Sequence, residues 1–172
     1  SMTPWLRGLD ARDHALFARC ALTPACALSA RRFWMSITHL GGARGSIGTC
    51  LLALGLPDVT PLLVWQVLLL LGASHLVVQI VKRSVGRPRP SVRLPIEALI
   101  QVPDRFSFPS GHACAAMAVA VGFASAFPAL ALPLMLLAAV VGFSRVALGV
   151  HYPGDVLVGQ AIALLCAWPM FG

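Results

Sequence analysis

The chain has 172 residues, 58% of them hydrophobic and only 11% charged, with a mean hydropathy of +0.83. An ordinary soluble domain carries roughly 25% charged residues, so composition excludes that class, points to a membrane protein, and leaves room for one domain. The formal net charge is +7, from 13 Lys and Arg against 6 acids.

In chain order, Ser1 before Met2 reads as the scar of an expression tag. Arg7, Asp10, Arg12, Asp13 and Arg19 interrupt any signal-peptide pattern, so insertion is expected to rely on internal apolar segments. Residues 9–34 mix charges with apolar residues at helical spacing (Leu9, Phe17, Cys20, Ala21) and predict an interfacial amphipathic helix. From Met35 the chain turns apolar, breaks at HLGGARG, and resumes as SIGTCLLALGL up to Pro57 and Asp58, short of the ~20 residues a span needs. Residues 61–81 carry no formal charge and predict a transmembrane helix ended by Lys82 and Arg83. Pro88, Pro90, Pro95, Pro103 and Pro109 forbid a long helix across 83–110, which is expected to be an extramembrane active-site loop, with a helical turn at IEALI. Residues 113–144 are again uncharged but too long for one crossing, and Pro128 with Pro133 marks a reversal between two helices. A last apolar run spans Val156 to Gly172.

Five cysteines, an odd number without C-x-x-C spacing, read as small apolar side chains. His14, His39 and His75 read as structural, and no H-E-x-x-H or similar spacing suggests a metal. Following the crossings, the helix ending at Lys82, that beginning near His112, that ending near Arg145 and that beginning near Asp155 put those ends on one side of the membrane. Three polar clusters therefore meet on one face.

The first cluster is KRSVGRPRP, where Lys82 and Arg89 offer a point charge and a planar fork suited to a tetrahedral oxyanion. Alone, such a basic run more often contacts lipid headgroups or sets topology. The second is PSGH: Ser110 is a good N-cap, Gly111 lets a ligand approach the backbone, and a helix N-terminus favours an anion, with His112 in its first turn. Its plain alternative is a capped helix with a stray histidine. The third is SRVALGVHYPGD, where Asp155, four residues after His151, can hold one ring nitrogen so that the other acts as nucleophile. An Arg145–Asp155 salt bridge would explain its charges but not the histidine.

Together these clusters resemble the signature of the type 2 phosphatidic acid phosphatase family, which shares its site with vanadium haloperoxidases. The matches are K-x(6)-R-P at Lys82, Arg89 and Pro90, P-S-G-H at Pro109 to His112, and S-R-x(5)-H-x(3)-D at Ser144, Arg145, His151 and Asp155. The resemblance implies an all-α integral membrane helical bundle of five to six helices, with the N-terminal amphipathic helix, in one domain over 1–172. It implies that His151 attacks phosphorus to form a phosphohistidine, Asp155 holds its ring, and His112 protonates the leaving oxygen before activating water. Lys82, Arg89, Ser110, Gly111 and Arg145 would hold the phosphate oxygens, with no metal and no cofactor. The implied partners are an amphiphilic lipid phosphate or polyprenyl diphosphate and membrane lipids, with no nucleic acid. The expected location is a bacterial inner membrane with the site on the extracytoplasmic side. The positive-inside rule opposes that side unless the basic residues serve phosphate. A vanadate-dependent haloperoxidase and a non-catalytic anionic-lipid binder are the alternatives.

Overall fold

Residues 4–23, 25–94, 98–100 and 104–172 are described by a computed structural model, in which they form eight α-helices and one 3-10 turn. The helix-forming logic is clearest in α4 (Pro61–Val85). Thr60 caps it by accepting a hydrogen bond from the Leu63 amide at 3.2 Å, Pro61 occupies the first turn, and Gly86 closes the far end at φ 63°, a left-handed conformation that favours glycine. Leu63, Val67, Leu70, Ser74 and Val78 form one buried stripe at spacings of three and four, and Lys82 continues it. The opposite face exposes Leu62, Trp65, Leu69, Leu76 and Ile80, as expected of a helix whose solvent is hydrocarbon.

The central element is α6 (Gly111–Ala126), packed against α4, against α7 (Ala131–Ala147) and against α8 (Pro153–Phe171). Its small side chains permit that closeness: a Cβ added at Gly122 would lie 2.7 Å from a Val67 methyl. Leu70, Val78, Cys114, Ala118 and Ala163 form the main core among these helices. The reversal expected near Pro128 and Pro133 is present: Pro128–Leu130 forms the 3-10 turn, and Pro133 falls in the first turn of α7, where a missing N–H removes no helical hydrogen bond. Among the described residues, three stretches, Pro61–Val85, Pro128–Ala147 and Pro153–Phe171, are long and apolar enough to cross a membrane, and α6 is a shorter apolar helix.

The helix count exceeds the five to six expected. Where one interfacial helix is suggested over 9–34, the chain forms α1 (Pro4–Cys20) and α2 (Leu28–His39), because the backbone leaves helical geometry after Cys20. After the turn at Leu40–Gly42, α3 (Ala43–Ala53) follows, and the polar loop contains a one-turn α5 (Pro90–Arg93). Of IEALI, where a helical turn is expected, Ile96 and Glu97 lie outside the described residues, and 98–100 are not helical. All five cysteines are free.

Candidate active site

The end of α4, the starts of α6 and α8, and the end of α7 bring the three predicted clusters together. Ser110 joins two of them: its hydroxyl accepts from the Ala113 amide at 3.4 Å, while its own amide donates to the Asp155 carbonyl at 2.9 Å. The Gly111 and His112 amides have no backbone partner among the described residues, so they form the open first turn of α6. Close packing fixes this geometry, because a Cβ at Gly159 on α8 would collide with the Ser110 backbone.

Asp155 is fully buried and takes three partners. Its Oδ2 accepts from the Tyr152 amide at 2.8 Å and lies 3.6 Å from Nδ1 of His151, while Oδ1 accepts from Arg87 Nη1 at 2.7 Å. The histidine separation is longer than a hydrogen bond. On the other side of the ring, Nε2 faces Arg89 Nη1 at 3.3 Å. Those neighbours favour a proton on Nδ1 and a lone pair on Nε2. Burial pushes the His151 pKa down to about 4, with the Asp155 carboxylate opposing that shift and the Arg145 and Arg89 charges adding to it. The imidazole is therefore neutral at neutral pH, as a nucleophile requires.

The three signature cations are buried. Lys82 Nζ reaches Asp104 Oδ2 at 3.0 Å, and Arg89 Nη2 reaches Asp104 Oδ1 at 2.9 Å. Burial alone would raise the Asp104 carboxyl, but Lys82 and Arg89 outweigh it and hold the group below the usual carboxylate range. Arg89 also donates to the Val150 carbonyl at 2.8 Å, which fixes the loop carrying His151. Arg145 donates through Nη1 to Thr38 Oγ1 at 2.7 Å, while its buried Nε has no hydrogen-bond partner among the described residues. His112 and Arg145 line one cavity of about 610 Å³. Three cations around an open helix N-terminus suit a tetrahedral anion and repel a metal ion.

This arrangement coincides with a family match. The model of the PAP2 superfamily fits residues 63–172. The chain belongs to the PAP2 superfamily. Its curated relatives include decaprenylphosphoryl-5-phosphoribose phosphatase of Mycobacterium tuberculosis, 40% identical over 91 residues, a match covering 52% of this chain and 49% of the relative. Another is undecaprenyl-diphosphatase BcrC of Bacillus subtilis, 33% identical over 84 residues, covering 49% and 44% respectively. This PAP2 chain thus spans about half the length of the curated relatives it matches. A crystal structure of a transmembrane PAP2-type phosphatidylglycerolphosphate phosphatase from Bacillus subtilis superimposes with a TM-score of 0.76 at 26% identity, covering 94% of this chain and 84% of that one. The apolar helices and this kinship make the chain an integral membrane PAP2 protein.

Several PAP2-site residues escape sequence reasoning. Arg87 lies between the fixed positions of its motif, yet its guanidinium binds Asp155, Asp10 at 2.7 Å and Asp13 at 2.8 Å, and covers the Tyr152 ring at 4.1 Å. Burial works against that charge, but Asp155 and the α1 carboxylates raise its pKa overall. The cation beside Asp155 is thus Arg87, and the alternative of an Arg145–Asp155 salt bridge is not what forms. His14 stacks on Tyr152 at 4.6 Å and His75 pairs with Gln79, while His39 lines the cavity beside His112. The glycines of HLGGARG press against His112: a Cβ at Gly42 would come within 3.4 Å of its Nε2. Of these, only the repeated R-P in RPRP and the glycine pair leave a sequence signal.

Proposed function

We propose that this protein is a metal-independent lipid phosphate or polyprenyl diphosphate phosphatase acting through a phosphohistidine, with its site on the extracytoplasmic face of a bacterial inner membrane. The observation that carries the reading is the buried His151, held between Asp155 on Nδ1 and Arg89 on Nε2. Nε2 attacks phosphorus, the P–O bond to the leaving group breaks, and His112 donates the proton that the departing oxygen takes. His112 then removes a proton from water, whose oxygen attacks the phosphohistidine and releases inorganic phosphate. Lys82, Arg89 and Arg145 neutralise the equatorial oxygens, and the Ser110 cap with the open Gly111 amide supplies the helix end. Asp104 occupies the Lys82 and Arg89 donors and yields them to the incoming phosphate. With the basic cluster assigned to phosphate, its weight as a topology signal falls.

The relatives' names place their substrates among polyprenyl-linked phosphates and membrane lipid phosphates, which favours an amphiphile for this chain. The test is phosphate release by purified protein from a panel of lipid phosphates, with EDTA present and with vanadate as inhibitor. Activity that survives EDTA, falls with vanadate and vanishes in His151→Ala is expected. His151→Ala retaining more than a few per cent of the rate, or activity lost to EDTA and restored by magnesium, overturns the mechanism.

A further inference from the structure

Beside His112 lies far more space than a phosphate fills. The cavity of about 610 Å³ falls within the range of roughly 300–1,000 Å³ typical of whole small-molecule sites. Its wall on one side is α2, which presents Arg31, Met35 and Thr38 at spacings of four and three, on one helix face. Thr38 fixes that face to the phosphate end through Arg145. At the other end, Arg31 Nη2 donates to the Leu99 carbonyl at 2.9 Å, which pins the guanidinium at the mouth of the cavity. His39 lines the same space, and no carboxylate occurs among the described lining residues.

We infer that this cavity receives a leaving group with a sugar-sized polar body that bears a second anionic group, the anion being recognised by Arg31 with His39 beside it. The inference rests on the phosphatase reading, because a proton donor at His112 places the leaving oxygen, and whatever it carries, on the cavity side. Helix geometry sets the span. Seven residues separate Arg31 from Thr38, and at 1.5 Å per residue their backbones are about 10 Å apart along the axis. In a diphosphate the second phosphorus shares an oxygen with the first and stays within the reach of Lys82, Arg89 and Arg145. An anion held by Arg31 needs a spacer, and a hydroxylated ring is compatible with a wall that is part polar and part apolar.

The test uses full-length protein in detergent and three synthetic amphiphiles of equal chain length: an alkyl monophosphate, a pentose 5-phosphate joined to its alkyl chain by a phosphodiester, and the same pentose 5-phosphate joined by a neutral ether. The phosphodiester compound should show the highest kcat/KM. In Arg31→Gln its advantage over the ether compound should fall about tenfold or more, as expected for loss of a charged hydrogen bond, mainly through KM. Arg31→Lys should keep most of that advantage. Gln and Lys can both still donate to Leu99, so a purely structural role for Arg31 would leave the ratio between the two compounds unchanged, and that result overturns the inference. Equal kcat/KM for the two pentose compounds in the wild type also overturns it. Calorimetric binding of the uncleaved compounds to His151→Ala keeps the two readings apart. Preference for the phosphodiester there supports the subsite even if no phosphate is released from any substrate, whereas equal affinity refutes the subsite even if hydrolysis is seen.

Discussion

Replacing Arg87 by methionine tests the clamp behind the proposed His151–Asp155 pair. The guanidinium is 15% exposed and its three carboxylates, Asp155, Asp13 and Asp10, are 0%, 13% and 24% exposed, so its loss strands negative charge that water reaches poorly. Removing one partner from a buried ion pair costs about 3–5 kcal/mol, and each kcal/mol lowers Tm by about 2–4 °C in a chain of this size, so Tm should fall by about 6–20 °C. Thermal unfolding in detergent measures it. Adding Asp10→Asn and Asp13→Asn removes two of the stranded charges and should restore at least half the loss, a coupling that a double-mutant cycle isolates. Phosphate release should recover less than stability, because Asp155 still lacks the hydrogen bond that fixes Oδ1. A Tm within 2 °C of wild type for Arg87→Met, or no rescue by the triple change, would refute the reasoning.

Asp155→Asn should leave His151 in the wrong tautomer and slow phosphate release by about 10³–10⁴, measured on protein of unchanged Tm. His112→Ala should cost about 10²–10⁴ in rate on a poor alkoxide leaving group and much less on nitrophenyl phosphate, whose leaving group departs without a proton; equal losses would remove the proton-donor role. Asp104→Asn frees Lys82 and Arg89 of a partly exposed competitor, so KM should fall about fivefold, the worth of roughly 1 kcal/mol, and a rise in KM would instead make Asp104 an orienting group. For pH, the folded His151 holds its pKa near 4 against 6.5 for the free side chain. Between those values only the unfolded chain takes the proton, so stability should fall as pH drops from about 6.5 towards 4, and His151→Gln should flatten that slope in denaturant titrations.

The sequence made the signature residues legible because each cluster is short and fixed by local geometry: a cap at Ser110, an i,i+4 pair at His151 and Asp155, and the end of a buried stripe at Lys82. The reversal near Pro128 was equally plain, since proline constrains its own neighbourhood. Arg87 was not, because its partners lie 68 and 77 residues away and nothing local marks an arginine as the centre of three carboxylates. Asp10 and Asp13 looked like the polar face of an interfacial helix for the same reason. Thr38 and His39 sit in a stretch whose apolar pattern says only that it is near the membrane, and their value comes from Arg145 and His112, more than 70 residues later.

The brevity of α6 bears on how the protein would meet the proposed lipid substrate. Sixteen residues rise about 24 Å, against a hydrocarbon layer of about 30 Å, whereas the 25 residues of α4 rise about 37 Å. His112, in the first turn of the shorter helix, can therefore lie below the headgroup plane, where the headgroup of the proposed substrate would meet it while the acyl or prenyl tail stays among its neighbours. Pulling such a tail into water would cost about 0.8 kcal/mol for every methylene, a barrier this geometry avoids. Turnover should then track the mole fraction of substrate in the bilayer or micelle: diluting substrate with inert detergent at constant bulk concentration slows the reaction, and diluting the whole suspension with buffer does not.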